Sequence, residues 1–156
     1  MRLALYQPDI PQNMGAIMRI AACFRVPLDV IEPCGFPFDE KRLLRTAMDY
    51  GQACDLLRHR SWADYLGVLR QGPGRLVLMT TAAKVSHADF AFSASDTILL
   101  GRESHGVPPE VHQAADHCIR IPIAKEHRSL NVAVAGAIAL SEALRQVGIF
   151  SGKTAL

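Results

Sequence analysis

Short, mostly apolar runs alternate along this chain with longer stretches of helical character, and no other feature restricts the fold as much. The runs at 2–6, 28–31, 54–58, 75–80, 97–100 and 119–123 read as strands. Being mostly apolar, they fit a mostly parallel sheet covered on both faces. Between them, 13–24, 39–48, 61–70, 108–115 and 129–147 read as helices, the last stopped by Gly148. Such alternation predicts a single α/β domain over residues 1–156 with helices on both faces of the sheet. Ligands of these sheets sit beyond the carboxyl ends of the strands, so the segments that leave those ends matter most.

A chain of 156 residues can bury roughly 70% of its unfolded surface, enough for a core without disulfides or metal. Its four cysteines, Cys23, Cys34, Cys54 and Cys118, form no CxxC or Cys/His pair. They read as buried, inert thiols, with neither a zinc site nor a disulfide framework. No apolar window reaches the length of a membrane span. The opening MRLALYQPD does not read as a signal peptide, and the expected location is the cytoplasm. Net charge is only +2, yet arginine supplies 13 of the 17 cations. Arginine's planar fork suits phosphates and stacked bases. Composition alone leaves RNA binding and a solvated arginine surface equally open.

Three constellations stand at the expected strand ends. In PDIPQNMGAIMRIAACF, Asn13 is a plausible helix N-cap, and Ile17, Ile20, Ala21 and Phe24 follow the spacing of a buried stripe. Arg19 falls on the opposite side, one turn after Gly15, whose missing side chain would leave the guanidinium approachable. A surface arginine above an incidental glycine is the competing reading. In LLGRESHGVP, Gly101 and Gly106 permit a tight turn after a strand and close backbone approach to a ligand. The spacing is not GxGxxG, so dinucleotide binding is weakly supported and a plain strand-to-helix turn competes. In IRIPIAKEHRSLN, Ile121 and Ile123 end a strand, and Lys125, His127 and Arg128 bring positive charge. Ser129, Leu130 and Asn131 then open a helix rich in small residues: Ala133, Ala135, Gly136, Ala137 and Ala139. A basic loop before a well-capped, tightly packed helix is the alternative here.

Taken in order, NxGxxxR at 13–19, LLGRESHGVP and IRIPIAKEHRSLN resemble the three motifs of the SPOUT methyltransferases. The resemblance spans nearly the whole chain. The opening LALYQPDIPQNMGAIMR, the segment IEPCGFPFDEKRLLRTAMDY and the pair Thr80, Thr81 are similar to the branch that 2′-O-methylates the tRNA wobble nucleotide without an added RNA-binding domain. The resemblance implies a deep C-terminal trefoil knot, against the general rule that chains avoid knots. It also implies S-adenosylmethionine held by Met79, Gly101, Glu103, Ile121, Ser129, Leu130 and Asn131. A homodimer whose active site uses both subunits is implied as well, with the small-residue helix at the interface and no metal. Arg19 would act on the ribose 2′-hydroxyl, either with a strongly lowered pKa or by positioning and polarising the hydroxyl. Asn13, Arg102, His105 and Arg128 would meet the tRNA anticodon stem-loop. Where that branch usually reads GPETRG this chain reads GRESHG, so Arg102 replaces a proline and His105 an arginine.

The function expected is methylation of position 34, C or modified U, in leucine tRNAs. The same chemistry at another tRNA or rRNA position, a silent RNA-binding module, and a nicotinamide-dependent enzyme are the alternatives. Binding of S-adenosylhomocysteine rather than NAD separates the last from the first.

Overall fold

The structure, a computed structural model, describes residues 1–38 and 53–149. Among them a seven-stranded sheet runs in the order β3-β2-β1-β6-β4-β7-β5. Its strands are β1 (Arg2–Tyr6), β2 (Leu28–Ile31), β3 (Leu56–His59), β4 (Leu76–Met79), β5 (Val85–Ser86), β6 (Thr97–Leu100) and β7 (His117–Arg120). Every pairing between them is parallel. The helices are α1 (Pro11–Cys23), α2 (Trp62–Leu69), α3 (Pro109–Ala114) and α4 (Val132–Gln146). None of them is long and apolar enough to cross a membrane. The helix expected at 39–48 lies outside the described residues.

Alternate strand residues feed two cores, as burial on both faces requires. Leu3, Leu5, Ile98 and Leu100 pack with Met14, Ile17 and Met18 of α1 and Leu140 and Leu144 of α4. Ala4, Tyr6, Leu78 and Leu99 face the other way, onto Tyr65 of α2 and Val111 of α3. Each fully buried Leu or Ile contributes roughly 1.5–3 kcal/mol of burial, so these two layers dominate the fold. Gly136 lets α4 come down onto β6: a Cβ there would stand 2.8 Å from Leu100 Cδ1. Most of the small-residue stripe therefore serves helix-on-sheet packing, with Ala133, Gly136 and Ala139 buried.

Several expectations are corrected. Ile10, not Asn13, is the N-cap of α1, with Pro11 pre-set at the first helical position and no side-chain cap bond. The buried face of α1 is Met14, Gly15, Ile17, Met18 and Ala21, while Ile20 and Phe24 are only partly covered. Gly15 is thus packed away rather than open in front of Arg19. The last strand ends at Arg120, and α4 starts at Val132, three residues after Ser129. Among the described residues, ion pairs join Arg2 with Asp29, Arg58 with Glu32, Arg70 with Asp116, Arg75 with Asp96 and Arg145 with Glu142. Asp29 and Asp96 are 3% and 0% exposed, so part of the arginine surplus neutralises buried carboxylates. Cys23 is exposed and the other three cysteines are half-buried, not buried. Burial still pushes the Cys34 and Cys54 thiols up to about 11, which keeps them protonated and unreactive.

Candidate active site

The register pairs Leu5 with Leu100, Leu100 with Met79, and Met79 with Ile119. The carboxyl ends of β1, β6, β4 and β7 therefore stand level, and the segments leaving them enclose a cavity of about 590 Å³. That volume suits a small-molecule ligand. Met79, Leu100, Ile121, Ile123 and Leu130 give it apolar walls, and the Thr80, Thr81 and Gly101 turns bring backbone to its edge.

Each segment reaches the cavity for a local reason. At the end of β6, a Cβ on Gly101 would lie 2.8 Å from the Gly106 carbonyl carbon, so only glycine permits the close turn. Arg102 and Gly106 exchange backbone hydrogen bonds of 2.9 and 3.0 Å, and Gly106 adopts φ +66°, closing 102–106 into a tight hairpin. At α4, the Asn131 Oδ1 accepts from the N–H groups of Ala133 at 2.9 Å and Val134 at 3.2 Å, capping the helix. Asn13 is left free of capping and turns its side chain toward the other two segments.

Hydrogen bonds then tie the three constellations together. Asn13 Nδ2 donates to Glu103 Oε1 at 3.1 Å, and Asn131 Nδ2 donates to Asn13 Oδ1 at 2.8 Å. The Asp9 N–H donates to Glu103 Oε2 at 3.2 Å, and the Glu103 N–H returns to Asp9 Oδ1 at 3.1 Å. Burial, and then the facing Asp9, raise the Glu103 pKa above the ordinary glutamate value. Asp9 is held down at about 2 by the Glu103 side chain, the Ser104 hydroxyl and two backbone N–H groups. One carboxyl of the pair favours its proton and the other refuses it.

Met79, Gly101, Glu103, Ile121, Ser129, Leu130 and Asn131 all line the cavity, as do Asn13, Arg102 and His105. Arg19 and Arg128 are not among the lining residues: Arg19 lies further along α1, half-buried, and Arg128 is exposed in the loop before α4. The Arg102 guanidinium stands 5.5 Å over the Tyr6 ring, with its Nε buried and unpartnered. Ile10, His112 and Arg120 border the cavity without having been singled out from the sequence. The apolar run at 119–123 puts Arg120 inside a strand, whereas β7 ends at that residue, which carries it to the cavity. His112 carried no local signal. No group of His, Cys, Asp and Glu among the described residues could hold a metal ion.

Residues 1–141 match the model of the SpoU rRNA Methylase family. The chain belongs to that family. One relative of this SpoU methylase, from Ancylobacter novellus, is named tRNA (cytidine(34)-2′-O)-methyltransferase. The two are 49% identical over 96% of this chain and 94% of the relative. A solved structure described as giving structural insights into the 2-OH methylation of C/U34 on tRNA superposes with a TM-score of 0.88. It is 39% identical and covers 94% of this chain and 95% of its own. An AdoMet-bound rRNA methyltransferase from Sinorhizobium meliloti superposes with a TM-score of 0.85 at 27% identity, over 94% of this chain and 56% of its own.

Proposed function

We propose that this chain transfers a methyl group from S-adenosylmethionine to the ribose 2′-hydroxyl at tRNA position 34, C or modified U of leucine tRNAs. One observation carries this reading: one cavity unites the three constellations in a chain that a relative named for 2′-O-methylation of cytidine 34 matches over 96% of its length. The cavity's residues fit the donor. Aliphatic Met79, Ile121 and Leu130 suit the adenosine, the turns at Gly101 and 129–131 offer backbone groups, and Glu103 is the single carboxylate on the wall among the described residues. When bound, the donor supplies an electrophilic methyl on a sulfonium. Tethering the ribose beside it removes the entropic cost of their encounter, a large share of any acceleration.

The segment 121–131 crosses from the end of β7 to α4, which packs back against α1 and β6. We read this crossing as the threaded part of a trefoil knot. On the outer side of α4, Val134 and Ile138 are 48% and 37% exposed one turn apart, an apolar pair suited to a second copy of the chain. In that dimer Arg19 enters the active site from the partner's α1. There its guanidinium, with five donors and no acceptor, serves to position and polarise the 2′-oxygen. Asn13, Arg102, His105 and Arg128 meet the anticodon loop, whose single-stranded bases can be splayed and read.

The test is a map of 2′-O-methyl groups in tRNA from a strain lacking the gene and from one carrying it. Loss of the position-34 methyl is expected. An unchanged wobble ribose, with a methyl missing elsewhere in tRNA or rRNA, would reassign the substrate.

A further inference from the structure

The segment IEPCGFPF at 31–38 carries the chain out of β2 and contributes no residue to the described cavity wall. It is built instead against the loop that leaves β1. The Gln7 N–H donates to the Ile31 carbonyl and the Gly35 N–H to the Pro8 carbonyl, both at 2.9 Å. Cys34, Phe36 and Phe38 anchor the segment on the core that α1 covers, and the Arg58 guanidinium lies 3.9 Å over the Phe38 ring. Between these anchors Gly35 meets Asp9. A Cβ on Gly35 would stand 2.7 Å from Asp9 Cβ and 2.9 Å from Asp9 Cα, so only glycine leaves Asp9 where it is.

Asp9 in turn grips the hairpin at 102–106. Its Oδ1 accepts from the Glu103 N–H at 3.1 Å, and its Oδ2 accepts from the Ser104 N–H at 3.3 Å and from the Ser104 hydroxyl. Bonds to an ionised carboxylate are the stronger kind, and two successive backbone N–H groups on one anion fix the hairpin's orientation. Arg102, Glu103, His105 and Gly106 of that hairpin line the cavity, whereas Asp9 and Gly35 do not. We infer that Gly35 is a positioning residue for the methyl donor, acting through Asp9 on the hairpin at 102–106. The inference rests on the methyl-transfer reading above.

The geometry leaves little slack. An alanine at 35 reaches ordinary contact only after a displacement of several tenths of an ångström. The anchors of 31–38 hold that segment, so Asp9 is the side that yields. The Ser104 N–H bond already stands at 3.3 Å and fades on further stretching. Glu103 moves with the hairpin, and with it the bond it accepts from Asn13 Nδ2 at 3.1 Å. A segment that only filled space would lose stability on this change and nothing else. One that sets the hairpin loses donor affinity as well.

Calorimetric titration with S-adenosylhomocysteine of the wild type, Gly35→Ala, Asp9→Ala and the double variant decides between these. A hydrogen bond to a charged group shifts an equilibrium by about tenfold or more, so each single variant should bind about tenfold or more weakly. Because Gly35 acts through the Asp9 carboxylate, the double variant should match Asp9→Ala within about twofold, whereas independent losses would add. In turnover, the KM for S-adenosylmethionine should rise by a similar factor in Gly35→Ala while the KM for tRNA stays within about twofold. Phe38→Leu loosens the segment at its far end without adding a Cβ, and it should shift donor affinity in the same direction. Donor affinity within about twofold of wild type in both Gly35→Ala and Phe38→Leu would overturn the inference alone. So would additive losses in the double variant. Failure of the wild type to bind S-adenosylhomocysteine would overturn the methyl-transfer reading and this inference with it.

Discussion

Asn131 donates from Nδ2 to Asn13 Oδ1 across 2.8 Å, joining residues 118 positions apart at the mouth of the cavity. The same Asn131 caps α4 through its Oδ1. One side chain thus both starts the final helix and fastens it to the turn that opens α1. The two duties separate by substitution. Asn131→Ala loses both, costing about 1 kcal/mol of capping and lowering the melting temperature by about 2–4 °C. Asn131→Ser retains a capping oxygen but offers no amide to Asn13. It should melt near wild type and still bind S-adenosylhomocysteine more weakly by calorimetry. Equal affinity in Asn131→Ser and wild type would show that the link to Asn13 does not shape the pocket.

Two crowded glycines, Gly101 at the cavity and Gly136 where α4 meets β6, predict different outcomes for the same change. At Gly101 an added Cβ meets Gly106 backbone atoms at 2.8 and 3.0 Å, which cannot yield without opening the hairpin. Gly101→Ala should cost about 1–3 kcal/mol in urea unfolding and abolish ligand binding. At Gly136 the added Cβ meets the tip of the Leu100 side chain at 2.8 Å, which can rotate. Alanine in a helix interior gains about 1 kcal/mol over glycine, so Gly136→Ala should fall close to neutral. Equal destabilisation of the two variants would contradict this reading of the contacts.

The Asp9 and Glu103 carboxyls predict opposed pH dependences. Asp9 is depressed from 3.8 to about 2, so its stabilising contribution is complete above the ordinary value and is lost as pH falls through the depressed one. Glu103 is raised, chiefly by burial, so its contribution is present at low pH and is lost as pH rises through the elevated value. Thermal melts across pH should show Asp9→Asn flattening the acid loss of stability. Glu103→Gln, which mimics the protonated form, should gain on wild type toward neutral and alkaline pH. A Glu103→Gln curve parallel to wild type would mean that Glu103 titrates normally.

Elements whose chemistry is local were legible in the sequence, and partnerships across the chain were not. The strands at 2–6, 28–31, 76–79 and 97–100 could be read because burial on both faces leaves them mostly apolar. The last strand lies earlier than its apolar run suggests, because Ile121 and Ile123 are apolar for the cavity and not for the sheet. Two-residue β5 has no periodicity to read. Asn13 looked like a helix cap because capping is a property of neighbours, whereas its partners Glu103 and Asn131 lie 90 and 118 residues away. The cavity-lining residues of the three constellations were legible because glycine turns and helix caps leave marks in sequence. The grip of Asp9 on the 102–106 hairpin was not, since its carboxylate comes from a different loop.

Arginines already paired inside the fold should not contribute to RNA binding, and those outside it should. Arg70 is held by Asp116 and donates to the Ala114 carbonyl, so its charge is spent on joining the end of α2 to the end of α3. Arg128 is exposed in the loop before α4, beside the cavity-lining Ser129 and Leu130. Each phosphate neutralised by such a side chain releases condensed counterions, which makes affinity fall with salt. Arg128→Ala should therefore weaken tRNA binding at low salt and reduce the slope of log affinity against log salt by about 0.7–0.9, one phosphate's share. Arg70→Ala should lower the melting temperature with the slope unchanged. Filter binding between about 50 and 200 mM salt, the range over which such contacts lose most of their strength, reads both slopes. A reduced slope in Arg70→Ala and none in Arg128→Ala would place the tRNA on the other face of the sheet.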